Sequence, residues 1–212
     1  MEKVIELRRY ITPEGKDVFG EWLARLKDER AKAKIVIRLD RVGLGNFADC
    51  RPVQGGLCEL RIDWRPGYRV YYAMLGKACV LLLGGGDKRK QSSDIDRALA
   101  SPRGLQGKGP VRMKRKTSIS HDEAVIRELR DNPRFAVEYL KAALEEDSEP
   151  RALLIALRRV VQARGIARIA KTAGVERESL YRALSKKGNP RLSTLAAVTK
   201  AVGLRLTVEA AG

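Results

Sequence analysis

Residues 166–184, IARIAKTAGVERESLYRAL, place Ala170, Gly174 and Leu180 at the fifth, ninth and fifteenth positions of a helix-turn-helix unit. Each residue type has a physical reason to stand there. A small Ala lets two helices approach, Gly takes the positive φ that a sharp turn needs, and Leu anchors the second helix on a core. Arg177, Ser179, Tyr181 and Arg182 are then candidates for outward contact, on a helix that fits the DNA major groove. Lys186, Lys187 and Arg191 follow where they would meet backbone phosphates, which position a protein without reading sequence. A second set of cations lies far upstream. Arg61 and Arg69 fall on neighbouring strands of an expected hairpin that turns at Arg65-Pro66-Gly67; Arg61, Asp63 and Arg65 share a face, and Arg69 falls opposite that stretch. With Lys88 after the third strand, the three cations are expected to converge on one concave sheet face.

Charge decides which partners suit such a chain. Its 212 residues carry 43 Lys+Arg against 26 Asp+Glu, a net charge of +17. That excess favours a polyanion, DNA or RNA. The distribution is uneven: residues 1–100 hold 20 basic and 14 acidic side chains, 101–116 hold 6 and 0, 117–150 hold 4 and 9, and 151–212 hold 13 and 3. An acidic block between two basic ones is the pattern expected if the block covers a basic face of the first domain. Cys50, Cys58 and Cys79 lack metal-ligand spacing, and His121 is the sole histidine. A Ser-His or Cys-His nucleophile therefore has little support, and no metal or cofactor is expected. No segment resembles a signal peptide or a membrane span, so we expect a cytoplasmic protein with reduced thiols and no membrane partner.

The elements that must position these residues read as follows. Residues 3–10 alternate like a strand. Thr12-Pro13 starts a helix whose apolar face carries Phe19, Trp22, Leu23 and Leu26, and Ile35, Leu39 and Val42 repeat that face in a second helix. Strands are expected over 57–64, 68–75 and 78–83, with a short helix over 94–100. The order is an α+β domain with an antiparallel meander and the helices on one face. Residues 101–116 form a linker. An acidic helical segment, 117–150, breaks near Asn132-Pro133. Residues 151–212 are all-α, with helices over 151–164, 166–173, 177–186 and 192–202 ending at Gly165, Gly174, Gly188 and Gly203. The alternation from Leu204 to Val208 suggests a final strand.

The runs GGLCELRIDWRPGYRVYYAM (55–74) and LLLGGGDKRKQSSDI (81–95) resemble the HigB-like branch of the RelE/ParE toxin superfamily over residues 1–99. The resemblance implies a RelE-like toxin that cleaves mRNA on the ribosome, with Arg61, Arg69 and Lys88 at the scissile phosphate. Such cleavage needs cations for the charged phosphorane and groups that move protons. Arg cannot be the base, its pKa being above about 12, so Lys88 or Glu59 would have that task. Relatives place a Tyr shortly after the basic cluster, where this chain has Asp94 and Ile95.

Residues 113–209 are similar to HigA-like antitoxins with an XRE-type helix-turn-helix, through the spacing above and the run SLYRALSKKGNPRLSTLAAVTKAVGLRL (179–206). This resemblance implies operator-DNA binding, autorepression and a homodimer. The acidic segment would then neutralise the toxin half, in cis or across the dimer, with Glu138, Glu145, Glu146 and Asp147 standing in for RNA phosphates. The expected whole is a toxin–antitoxin pair in one polypeptide. The competing reading is a DNA-binding repressor with a catalytically dead toxin module. A gyrase-directed toxin of the ParE kind would not need the basic cluster.

Overall fold

Four consecutive apolar residues, Val80–Leu83, demand a strand buried on both faces, and a six-stranded sheet is built around them. The computed structural model describes residues 5–88, 94–96, 98, 117–146 and 149–207. The chain divides into two units, Met1–Ala124 and Val125–Gly212. The first runs β1 (Glu6–Tyr10), α1 (Val18–Ala24), α2 (Glu29–Gly43), β2 (Cys50–Pro52), β3 (Leu57–Ile62), β4 (Tyr68–Leu75), β5 (Cys79–Asp87) and β6 (Ser118–Ser120). Residues 94–96 and 98 are helical.

The sheet order is β2-β3-β4-β5-β1-β6. β2, β3, β4 and β5 form the expected antiparallel ladder, but β1 pairs with β5 in parallel. The sheet is thus mixed, which corrects the all-antiparallel expectation. An apolar strand such as β5 cannot leave a row of N–H and C=O groups unpaired at a sheet edge, and β1 satisfies them. A further strand from beyond residue 116, β6, pairs antiparallel with β1.

Both faces of the sheet are covered. On one, α1 sets Trp22 edge-on to Tyr68 at 6.4 Å, and the absence of a Cβ at Gly85 makes room for the Trp22 ring. On the other, Tyr10, Leu57, Tyr71, Ala73 and Leu81 pack with Ile95 and Ala98. Helical residues therefore lie on both sides, not one.

The second unit takes in the greater part of α3 (His121–Asp131), then α4 (Pro133–Leu144), α5 (Arg151–Arg164), α6 (Ile166–Ala173), α7 (Arg177–Ala183) and α8 (Leu192–Ala201). Asn132 caps α4 through Phe135 N–H at 3.1 Å, with Pro133 in the first turn. Phe135 and Tyr139 stack in its core at 5.7 Å, and the Tyr139 hydroxyl accepts from the buried Arg159 guanidinium at 2.7 Å. Residues 204–207 lie in no strand. The alternation there has no neighbouring strand to pair with among the described residues. No helix among them is long and apolar enough to cross a membrane.

Asp28 starts α2 by accepting from the N–H groups of Arg30 (2.9 Å) and Ala31 (3.1 Å), and its second oxygen accepts from the Trp64 indole at 3.4 Å. Asp28→Ala should cost about 1–2 kcal/mol in urea denaturation. Asp28→Asn, which still accepts, should cost less than half of that.

Candidate functional site

The β3–β4 register pairs Arg61 with Arg69 and Glu59 with Tyr71. Alternation puts all four on one face. Two guanidinium groups facing each other would repel, and Glu59 resolves the conflict. One carboxylate oxygen accepts from Arg61 Nε at 2.7 Å, and the other lies 3.2 Å from Arg69 Nε. The second contact is an ion pair whose alignment is too poor for a hydrogen bond. Glu59 is only 1% exposed and Arg69 8%, whereas the Arg61 side chain keeps 41% of its surface. Lys88 is exposed and its backbone N–H donates to Gly67 O at 3.1 Å, beside the hairpin turn. The register therefore brings Arg61 and Arg69 together. A buried carboxylate stands between them, and only Arg61 and Lys88 face water.

Two members of this cluster were not among the expected site residues. Tyr71 is fully buried, and Asp94 is buried over Gly86, where a Cβ would collide with its carboxylate. The glycine run 84–86 is thus spatial: Gly85 admits Trp22 and Gly86 admits Asp94. Burial first, then the negative charges of Glu59 and Asp94, push the Tyr71 phenol up to about 12. A phenol so held stays neutral and can donate a proton or a hydrogen bond. A cleft of about 300 Å³ opens nearby between Trp22, Arg25, Gly84 and Asp94.

In the second unit, α6 and α7 meet at Gly174, which is left-handed at φ +67°. Ala170, Leu180 and Leu184 are buried behind them. Arg177, Arg182 and Lys187 are exposed, while Ser179, Tyr181 and Lys186 are half-buried. Arg182 donates to Ser179 Oγ at 3.4 Å. The Tyr181 ring lies between two guanidinium groups, Arg158 at 5.6 Å and Arg177 at 5.8 Å. Arg158 comes from α5, and only the fold could disclose it. Arg191 is exposed at the start of α8.

The acidic residues are partly engaged at home. Glu138 accepts from Lys141 at 3.1 Å within α4, Glu145 caps that helix and is exposed, and Glu146 is half-buried. Asp147 lies outside the described residues. Glu149, unremarked in the sequence, is buried and holds Arg151 at 2.7 and 3.0 Å.

Residues 122–210 match the model of a family described as "Probable addiction module antidote protein". Two proteins of Haemophilus influenzae, each described as an uncharacterised protein, are similar to this chain. One is 49% identical over 89 residues, which is 41% of this chain and 90% of the relative. The other is 42% identical over 71 residues, 34% of this chain and 72% of the relative. The chain belongs to the addiction-module antidote family. The antidote-family region begins at the second residue of α3 and includes all of α4 to α8, so the α6–α7 pair lies inside it. The Glu59 cluster lies outside it.

Glu59→Ala strands Arg69 in the interior and should cost about 3–5 kcal/mol in thermal denaturation. Arg61→Ala, at a half-exposed position, should cost less than about 1 kcal/mol.

Tyr71 titrates later folded than unfolded, so the stability from its neutral phenol is fully present below pH 10 and lost as the pH rises toward 12. Ultraviolet titration should show a tyrosine ionising near pH 12 whose midpoint falls in Glu59→Gln. Tyr72 also titrates late, raised by burial and the Cys50 and Cys58 thiols, and should not respond.

Proposed function

We propose that the chain is an addiction module in one polypeptide. In this reading the antidote-family region is an XRE-type DNA-binding autorepressor that acts as a homodimer on operator DNA. The first unit is a RelE-like, HigB-like mRNA interferase whose activity on the ribosome is suppressed in the intact chain. The observation that carries the DNA-binding part is the α6–Gly174–α7 geometry. Its small and apolar residues are turned inward, and Arg177 and Arg182 are left in water. Such a helix presents guanidinium forks to base edges, with Lys186, Lys187 and Arg191 for phosphates. In the first unit, Arg61, Arg69 and Lys88 would hold the scissile phosphate, with Glu59 or Lys88 moving the proton. The acidic residues Glu138, Glu145, Glu146 and Asp147 are assigned the neutralising role.

One observation favours a second reading, in which the first unit is a dead toxin module and the chain only represses transcription. Glu59 already pairs with both arginines, and Arg69 is buried. A phosphate would have to displace Glu59 to use Arg69.

Fluorescence anisotropy on the DNA upstream of the coding sequence tests the first part. Arg177→Ala and Arg182→Ala should each weaken binding by about tenfold or more, and binding should fall steeply with salt. A flat salt response would remove the basic face as the contact.

Growth after expression separates the two readings of the first unit. Residues 1–124 should arrest growth where the full chain does not, and Lys88→Ala should relieve the arrest. Absence of arrest from well-folded 1–124 would leave the repressor reading standing.

A further inference from the structure

The edge strand β6 comes after residues 101–116 in the chain, yet it pairs with β1, the first strand of the sheet. β6 runs antiparallel to β1, pairing Arg8 with Ser120, Arg9 with Ile119 and Tyr10 with Ser118. Ile11 N–H donates to Thr117 O at 2.9 Å. Antiparallel pairs alternate in their bonding, so Arg9 and Ile119 form the next pair that exchanges main-chain hydrogen bonds. Side chains add to the ladder. Arg8 Nε donates to Ser118 Oγ at 2.8 Å, and Arg8 Nη2 donates to the Ser118 carbonyl at 3.0 Å. Behind the strand sits His121, wholly buried. Its Nδ1 accepts from Arg9 Nε at 3.0 Å, and its ring meets Phe19 edge-on at 5.8 Å.

Every contact in this set is made from the C-terminal side of the linker. Ser120 also accepts from Glu123 N–H at 3.3 Å, so the last strand residue caps α3, and α3 starts at His121 without a break. The antidote-family match begins at the next residue, 122. The strand and the antidote-family region are thus one continuous piece of chain.

We propose that residues 117–121 are a docking clip: they add a strand to the β1 edge of the first unit, seat His121 behind it, and hold the antidote-family region there independently of the linker. The proposal takes the names of its two parts from the fused-module reading. Strand addition suits the task, because main-chain bonds supply affinity and the two side-chain seats, Ser118 and His121, supply specificity. It also closes an edge that β1 would otherwise expose. The linker then contributes only effective concentration, and cutting it removes no contact of the clip.

A protease site placed within residues 101–112 of the full chain, cut after folding, tests this. The two pieces should elute together at the size of the uncut chain. Ile119→Pro removes the main-chain donor of the central pair and His121→Ala empties the buried seat, and each should weaken the association by about tenfold or more. Ser118→Ala leaves the ladder in place and should weaken it less, by about two- to fivefold. Wild-type pieces that part on cutting would overturn the clip. So would pieces that stay together equally well in Ile119→Pro and His121→Ala. No growth assay or DNA enters the measurement. An inert first unit would therefore sink the toxin reading alone, and separating pieces would sink the clip alone.

Discussion

A guanidinium taken out of water must recover its charge and hydrogen-bond partners from the protein. Arg9 is 4% exposed, and the arrangement of the first unit follows from how it does so. Nη1 pairs with Asp17 at 3.2 Å, Nε bonds His121, and the plane lies over Phe19 at 5.2 Å. Asp17 in turn caps α1 by accepting from Gly20 N–H at 2.8 Å. A Cβ at Gly20 would strike both Asp17 and Arg9, so that position has no room for a side chain. One charge on β1 thus fixes the start of α1, the seat of Phe19 and the entry into α3. His121 can accept from Arg9 only through an unprotonated Nδ1, which ties the ring's state to the same contact.

The Glu59 cluster solves a similar problem with a different consequence. Arg61 and Arg69 stand opposite each other in the ladder, where like charges destabilise a strand pair. Glu59 turns that repulsion into an attraction by lying within reach of both. The solution withdraws Arg69 from solvent and leaves Arg61 as the accessible half of the pair. The carboxylate that answers the opposed arginines therefore also occupies the face they share. Tyr71 and Asp94 extend the same buried polar seam across to β5.

How much of this was legible follows from the range of each signal. The breaks at Asn132-Pro133, Gly165 and Gly174 mark helix ends because caps and left-handed turns are local. The helices over 151–164 and 166–173 match their expected bounds. That Arg69 lies across the turn from the stretch beginning at Arg61 was legible for the same reason; its exact pairing with Arg61 comes from the register. Parallel pairing of β1 with β5 was not, because periodicity says that a strand is buried and not what lies beside it. β6 was missed because Ser118–Ser120 holds a single apolar residue and has no period to detect. Glu59 was expected to move a proton, and Asp94 only to stand where relatives have a Tyr. Only the fold shows that Glu59 lies between two arginines and that Asp94 occupies the space left by Gly86. Alternation from Leu204 onward was a signal without a partner, so residues 204–207 formed no strand.

The Glu59 cluster and the α6–α7 pair treat positive charge in opposite ways. In the first unit the paired arginines are answered from within by Glu59, and Arg9 by Asp17 and a neutral ring. In the antidote-family region, Arg177 and Arg182 are left in water on α7, and Lys187 and Arg191 are exposed beyond it. Arg158 and Arg177 share one tyrosine ring, which attracts each of them weakly but does nothing to cancel their mutual repulsion. A polyanion laid along α7 would supply the cancelling charge and shed counterions condensed on itself. Exposed cations are therefore clustered at the helix pair, whereas around the Glu59 cluster only Arg61 and Lys88 reach solvent.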